Sequence, residues 1–316
     1  MGLDRRVARR ATLAGFAALA LWSTFAVLAA GTGAMPPFQL LAVTFGLGGL
    51  AGLLFNRQRL GRAGLRTALC QPPRIWALGV GALFGYHALY FTALRLAPPA
   101  EAGLFNYLWP LLLVLGAALF PASPGPGGAL RRGHVFGALL GFAGIGTLLF
   151  GPQLAGSSMT PGLAGPGALD AALEITGDRA VGDLCAFAAA FVWAGWSLAS
   201  RRLGEVSTAA ISGFCVAASV LAAGVHVLFE RTVWPETPGA WGMLITLALG
   251  PSGASFLLWD RAVKSGDLPL LAASAYATPL VSTGLLVAAG LTAPTPALFA
   301  ACLLIVTGAV VAGRAP

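Results

Sequence analysis

Long apolar runs, separated by short polar connections, occupy almost the whole chain. A bilayer-spanning helix needs about 20 mostly apolar residues. Ten stretches have that character: 11–31, 36–55, 75–96, 99–120, 134–152, 181–200, 208–229, 239–260, 268–290 and 295–313. The connections carry the polar residues and much of the proline. The pattern therefore predicts an all-α membrane protein with ten transmembrane helices. The first run follows "RRVARR", a layout shared with signal peptides. Its apolar part is long enough to span and more spans follow, so it reads as a retained first helix. The longest connection, 153–180, is rich in Gly and Pro, and "GALDAALEITG" within it predicts a short surface helix. It divides the chain into units 1–152 and 181–316 with five spans each.

Composition agrees with a membrane protein. The 316 residues are 57% hydrophobic and 9% charged, with a mean hydropathy of +0.82. A soluble domain carries about 25% charge, so this chain could not cover a water-facing surface. The net charge of +8 does not imply a nucleic-acid partner, because the basic residues are scattered and form no stripe. They order the topology instead. With the N-terminus in the cytoplasm and ten crossings, every Lys and Arg except Arg95, Arg179 and Arg231 falls inside. That is the bias expected of an inserted protein. Both termini are then cytoplasmic. Cys70, Cys185, Cys215 and Cys302 lie far apart, as do the three histidines, so no metal site is indicated. No nucleotide fingerprint appears either, and no cofactor is called for.

The two halves echo each other. At one constant offset Tyr107-x-x-Pro110 falls on Tyr276-x-x-Pro279, Tyr90 on Trp259 and Arg95 on Lys264; two residues away from that offset, Trp22 falls on Trp193. Five spans is an odd number, so the second copy enters from the opposite side. Inverted repeats of this kind place a substrate site between the halves, near mid-membrane. Gly48-x-x-x-Gly52, Gly81-x-x-x-Gly85 and Gly137-x-x-x-Gly141 predict close helix packing.

Polar and aromatic residues inside the spans are the candidate chemistry, because lipid disfavours them unless they face protein or water. Tyr86 and Tyr90 share a face of the third span, with His87 beside them. His87 reads equally as a histidine bonded to a neighbouring helix or as a cargo or proton site. In "NYLWP", Asn106 and Trp109 share a face, and Pro110 frees a carbonyl one turn back. Trp193, Trp196, Ser197 and Ser200 make a stripe, as do Ser252, Ser255 and Trp259; Ser274, Thr278 and Ser282 make a third, with Tyr276 and Pro279 nearby. Interfacial anchoring accounts for Trp76, Trp234, Trp241 and Trp22, but not for Trp109 or Trp193. The expected site is thus an uncharged cavity lined by Tyr86, His87, Tyr90, Asn106, Trp109, Trp193, Ser197, Trp259, Tyr276 and Thr278, with Tyr107 turned toward the other repeat. Aromatic faces attract ammonium, so a neutral zwitterion fits. Arg95 and Glu101 either pair at the mouth or snorkel to the interface. A rival class is a membrane protease with Ser252 as nucleophile and His87 or His226 as base; a passive channel is another.

The stretches "LWSTFAVLAAG", "EAGLFNYLWP", "FAAAFVWAGWSLASRR" and "SAYATPLVSTGL" resemble the EamA-type members of the drug/metabolite transporter superfamily, and within it the YddG-type exporters of aromatic and other neutral amino acids. The resemblance spans the chain. It implies two inverted five-helix EamA repeats forming a basket around a central cavity, and export across the bacterial inner membrane without ATP. It also carries over Asn106, Tyr107, Trp109, Pro110, Trp193, Tyr276 and Pro279 as residues of the cavity or its helices. Pro110 and Pro279, at matching repeat positions, are the hinge candidates. The expected partners are a small neutral amino acid and the lipid bilayer, with a monomer favoured. Drug-like or nucleoside cargo remains the nearest alternative, and energy coupling stays open between facilitated diffusion and proton exchange.

Overall fold

The computed structural model describes residues 2–97, 99–119, 132–154, 168–203, 205–291 and 296–313, and every regular element among them is helical. In chain order the helices are α1 (Gly2–Ser23), α2 (Phe25–Ala30), α3 (Pro37–Leu69), α4 (Pro73–Leu96), α5 (Pro99–Asn106), α6 (Trp109–Leu119), α7 (Arg132–Leu154) and α8 (Ala168–Arg202). There follow α9 (Ala210–Phe229), α10 (Pro238–Leu249), a π-helical turn (Gly250–Ala254), α11 (Ser255–Ser265), α12 (Leu268–Ser274), α13 (Ala277–Ala288) and α14 (Pro296–Gly313). Seven stretches among the described residues are long and apolar enough to cross a membrane, which makes this a multi-pass membrane protein. The expected spans 99–120, 134–152 and 295–313 are not among the seven. The first of them is divided into α5 and α6, and the last holds only a shorter apolar helix, Phe299–Gly308.

Four helical stretches are interrupted, each for a local chemical reason. Thr24 separates α1 from α2, its Oγ1 donating back to the Leu21 carbonyl at 2.7 Å. A hydroxyl that bonds its own backbone competes with the helix ladder. Pro110 has no N–H to give the Asn106 carbonyl, and the chain turns at Tyr107–Leu108, where Leu108 N donates to Phe105 O at 3.2 Å. Pro279 leaves the Ala275 carbonyl in the same state, and Thr278 N takes it up in a tighter turn at 3.0 Å. Pro251 widens its helix into the π turn. There its carbonyl accepts from Trp22 Nε1 at 3.2 Å and from Ser255 Oγ. The expected surface helix at "GALDAALEITG" is instead the start of α8, which runs unbroken through it into the apolar stretch 181–200.

The most extensive packing joins α7 to α14, α3 to α9, α4 to α8 and α1 to α11. Small residues set the α3–α9 contact and the contact of α3 with the π turn. A Cβ at Gly48 would lie 2.9 Å from Gly253 Cα, and one at Gly49 would lie 3.0 Å from Val216 N. Both neighbours are backbone and cannot step aside. A Cβ at Gly81 or Gly85 would meet nothing within 4 Å, so that pair does not serve close packing. Gly48→Leu is therefore expected to cost about 1–3 kcal/mol or more through overpacking, while Gly81→Leu leaves stability nearly unchanged. Thermal unfolding of the two variants in detergent checks this.

Two polar clusters tie the bundle at its ends. Glu230, just after α9, accepts backbone N–H bonds from Phe38 and Gln39 at the start of α3, at 3.1–3.2 Å. A carboxylate there meets the positive end of a helix dipole. His226 bridges Glu230 and Thr232 at 3.0 and 2.9 Å. At the other end Asp260 of α11 is 3% exposed. It accepts from Ser200 Oγ at 2.5 Å, Thr208 Oγ1 at 2.6 Å and Lys264 Nζ at 2.7 Å. Lys264 Nζ also donates to the Val206 carbonyl at 2.8 Å, pinning the α8–α9 connection to α11.

Candidate functional site

The four interrupted stretches and α3, α4 and α8 line a partly open cavity of about 260 Å³. Trp22, Phe25 and Ala26 reach it from α1 and α2, and Phe45 from α3. Tyr86, His87, Tyr90 and Phe91 come from α4; Asn106, Tyr107 and Trp109 from the α5–α6 break. Trp193 comes from α8, Pro251, Ser252 and Phe256 from the π turn and α11, and Thr278 and Ser282 from α13. None of these is charged.

Rings form most of the wall. Tyr86 and Tyr90 stack at 6.1 Å with 19° between their planes. Trp193 lies 5.4 Å from Tyr86 and 5.6 Å edge-on from Trp22. Phe45 and Phe91 flank His87 at 4.9 and 5.9 Å. The breaks matter here, because they turn side chains inward that a straight helix would direct elsewhere. A wall of aromatic faces offers negative quadrupole to a cation and flat area to another ring.

The polar groups are few and specific. Asn106 Nδ2 donates to Tyr86 Oη at 3.2 Å, which leaves Asn106 Oδ1 as an acceptor with no protein partner. Ser252 Oγ and Thr278 Oγ1 are likewise buried without a protein partner. Leaving a buried polar atom unsatisfied costs about 1–3 kcal/mol. Three such atoms in residues lining one cavity make it a place for a ligand with both donors and acceptors. His87 Nδ1 faces the Leu83 carbonyl at 2.7 Å. A carbonyl only accepts, so Nδ1 carries the hydrogen and the neutral ring keeps Nε2 as an acceptor.

Seven of the ten residues expected from the sequence line this cavity: Tyr86, His87, Tyr90, Asn106, Trp109, Trp193 and Thr278. Three stand behind it. Trp259 is 2% exposed and donates from Nε1 to Ser197 Oγ at 3.1 Å, while its ring meets Trp109 at 5.7 Å edge-on. The pair thus braces the cavity's tryptophans. Tyr276 is fully buried, its ring packed where a Cβ on Gly141 would fall. Pro110 and Pro279 each follow a helix break.

Two expectations change. Tyr107 lines the cavity rather than facing away, because the turn at Tyr107–Leu108 breaks the helical phase from which its direction was read. Trp22 is no interfacial anchor: it meets Trp193, Trp259 and Phe256 at 5.3–5.9 Å and bonds the π-turn carbonyl. Ser252 has no hydrogen bond to a base. His226 is held by Glu230 and Thr232, and His87 Nδ1 by Leu83. A serine nucleophile needs that bond. The side chains of Arg95 and Glu101 lie outside the described residues.

Residues 180–314 match the EamA-like transporter family. The chain is 46% identical over 302 residues to the aromatic amino acid exporter YddG of Ancylobacter novellus, covering 96% of both proteins. It is 27% identical over 291 residues to the aromatic amino acid exporter YddG of Escherichia coli, covering 88% of this chain and 87% of that one. A solved crystal structure superposes with a TM-score of 0.81 at 45% identity, covering 96% of each chain.

Proposed function

This chain belongs to the EamA-like transporter family, and from that premise we propose that it exports neutral amino acids, aromatic ones among them, across the bacterial inner membrane. One observation carries the reading: an uncharged aromatic cavity in which Asn106 Oδ1, Ser252 Oγ and Thr278 Oγ1 find no protein partner. An α-ammonium donates to such oxygens and lies against the Tyr and Trp faces; a carboxylate accepts from the hydroxyls. An aromatic side chain stacks on the same rings. Pockets for drug-sized ligands measure about 300–1,000 Å³, and this cavity of about 260 Å³ lies just below that range. An acidic or basic side chain would find no counter-charge there.

The reading extends to architecture. Residues 1–152 form one five-helix repeat and 181–316 the other, inverted, with 153–180 between them on the extracytoplasmic side. The packing supports this. Exchange the halves, span for span, and the α4–α8 contact becomes the α1–α11 contact, while α3–α9 and α7–α14 map onto themselves. The breaks at Tyr107–Leu108 and Ala275–Tyr276 fall within one residue of matching repeat positions. The chain works as a monomer with cytoplasmic termini. On that orientation Phe25, Tyr90 and Ser282 lie in the outer halves of their helices, whereas Trp259 and the Asp260 cluster fill the inner side. The arrangement is then outward-facing. Alternating access rocks the repeats about the breaks before Pro110 and Pro279.

Ligand-induced stabilisation tests the cargo. A ligand at 100 times its Kd stabilises by about 2.7 kcal/mol. Tryptophan and threonine should raise the unfolding temperature of the detergent-solubilised protein in a saturable way, and glutamate should not. The same response in Ser252→Ala, reduced but present, is the expected result; stabilisation by glutamate alone would contradict the reading.

A further inference from the structure

The third helix outlasts its apolar stretch. From Arg57 to the start of α4 the chain reads "RQRLGRAGLRTALCQPPR", with five arginines, four of them in α3, and no acid. Gly61, at φ 71° and ψ 175°, bends the chain, so residues 62–69 leave the axis of the spanning segment. A positive φ of this kind is open to glycine at little cost. In the segment that follows, Arg62, Leu65, Arg66 and Leu69 are spaced i, i+3, i+4, i+7 and so share one helix face. It is fixed in place. Trp76 Nε1 donates to the Leu69 carbonyl at 3.2 Å, Cys70 N caps Arg66 O at 2.9 Å, and Leu69 packs against Gly213 of α9.

Beside the bend lies a shallow, open surface depression of about 530 Å³ lined by Arg57, Arg62, Leu65, Arg66, Leu69 and Cys70. The three arginines are exposed. None has a carboxylate partner among the described residues. Three guanidiniums thus stand beside two leucines, at the arginine-rich end of a spanning helix. Guanidinium binds phosphate with a two-point fork, while Leu65 and Leu69 offer apolar surface to the glycerol backbone and first methylenes of an acyl chain. Basic pockets beside spanning helices on the cytoplasmic side are suited to anionic headgroups.

We propose that the depression formed by Arg57, Arg62 and Arg66 beside Leu65 and Leu69 is a binding site for the phosphodiester headgroup of an anionic phospholipid. The site is separate from the central cavity and holds the inner end of α3 to the membrane surface. A free phosphate shares the headgroup's charge but not its apolar chain, so the leucines favour the lipid.

Native mass spectrometry of the full-length protein in detergent tests this, with phosphatidylglycerol and phosphatidylcholine titrated separately. The wild type should retain phosphatidylglycerol in preference to phosphatidylcholine. The Arg57→Gln/Arg62→Gln/Arg66→Gln variant should lose about 100-fold in phosphatidylglycerol affinity. Arg5→Gln/Arg6→Gln/Arg9→Gln removes the same charge from the N-terminal segment and should stay within about threefold of wild type. Arg66→Lys, which keeps the charge without the fork, should fall between. Unchanged unfolding temperatures show that the variants fold. Equal losses in the two triple variants would overturn the site in favour of bulk charge. Displacement of phosphatidylglycerol by millimolar inorganic phosphate would overturn it in favour of a free-anion site.

Discussion

Asp260→Ala should cost about 3–5 kcal/mol of folding stability, the range for removing one partner of a buried ion pair. The Asp260 side chain is 2% exposed and that of Lys264 9%. Without the carboxylate, the ammonium stays buried with the Val206 carbonyl as its remaining acceptor from this cluster. Ser200 Oγ and Thr208 Oγ1 lose their acceptor at the same time. The damage is to the connection between α8 and α9, which this cluster fastens to α11. Breaking the pair and replacing it have different costs, since an apolar pair of similar volume is often neutral. Asp260→Leu/Lys264→Met should therefore recover more than half of the loss. Unfolding in mixed detergent–SDS micelles measures both variants.

Asn106→Leu is expected to weaken tryptophan binding by about 10- to 150-fold, the equivalent of one hydrogen bond to a charged group at about 1.5–3 kcal/mol. Leucine keeps the bulk but removes Oδ1, the acceptor without a protein partner, and the donor held by Tyr86 Oη. Ser197→Ala makes the comparison. Ser197 is fully buried behind the wall, where it accepts from Trp259. Its loss should lower stability by about 1–3 kcal/mol through an unpaired indole N–H, with a smaller effect on affinity.

Contrast decided what could be read before any coordinates. Asn106, Trp109 and Trp193 stand out because an amide or indole deep in an apolar span is costly in lipid. Phe45, Phe91 and Phe256 line the same cavity, yet a phenylalanine in an apolar span carries no such signal. Trp22 has the residue type of an interfacial anchor, and only its contacts with Trp193 and Trp259 place it in the interior. Helical phase works only within an unbroken helix, so Tyr107, on the turn itself, points where spacing does not predict. Asp260 reads as the polar end of a span. Its burial comes from Ser200, Thr208 and the Val206 carbonyl, which are distant in sequence. The prolines did announce the breaks at Tyr107–Leu108 and Ala275–Tyr276, because a missing N–H acts locally. The π turn at Pro251 is the same chemistry, and its carbonyl accepts from Trp22, distant in sequence on α1.

The central claim is that the aromatic cavity receives neutral amino acids and passes them through the membrane. Uptake of radiolabelled tryptophan, threonine and glutamate into liposomes holding the purified protein tests it most directly, with wild type and Asn106→Leu side by side. The account predicts saturable entry of tryptophan and threonine, exclusion of glutamate, and a rise of at least tenfold in the tryptophan half-saturation concentration in the variant, as the hydrogen-bond range implies. No entry of tryptophan or threonine into liposomes whose protein is folded would contradict it, as would entry that Asn106→Leu leaves unaltered.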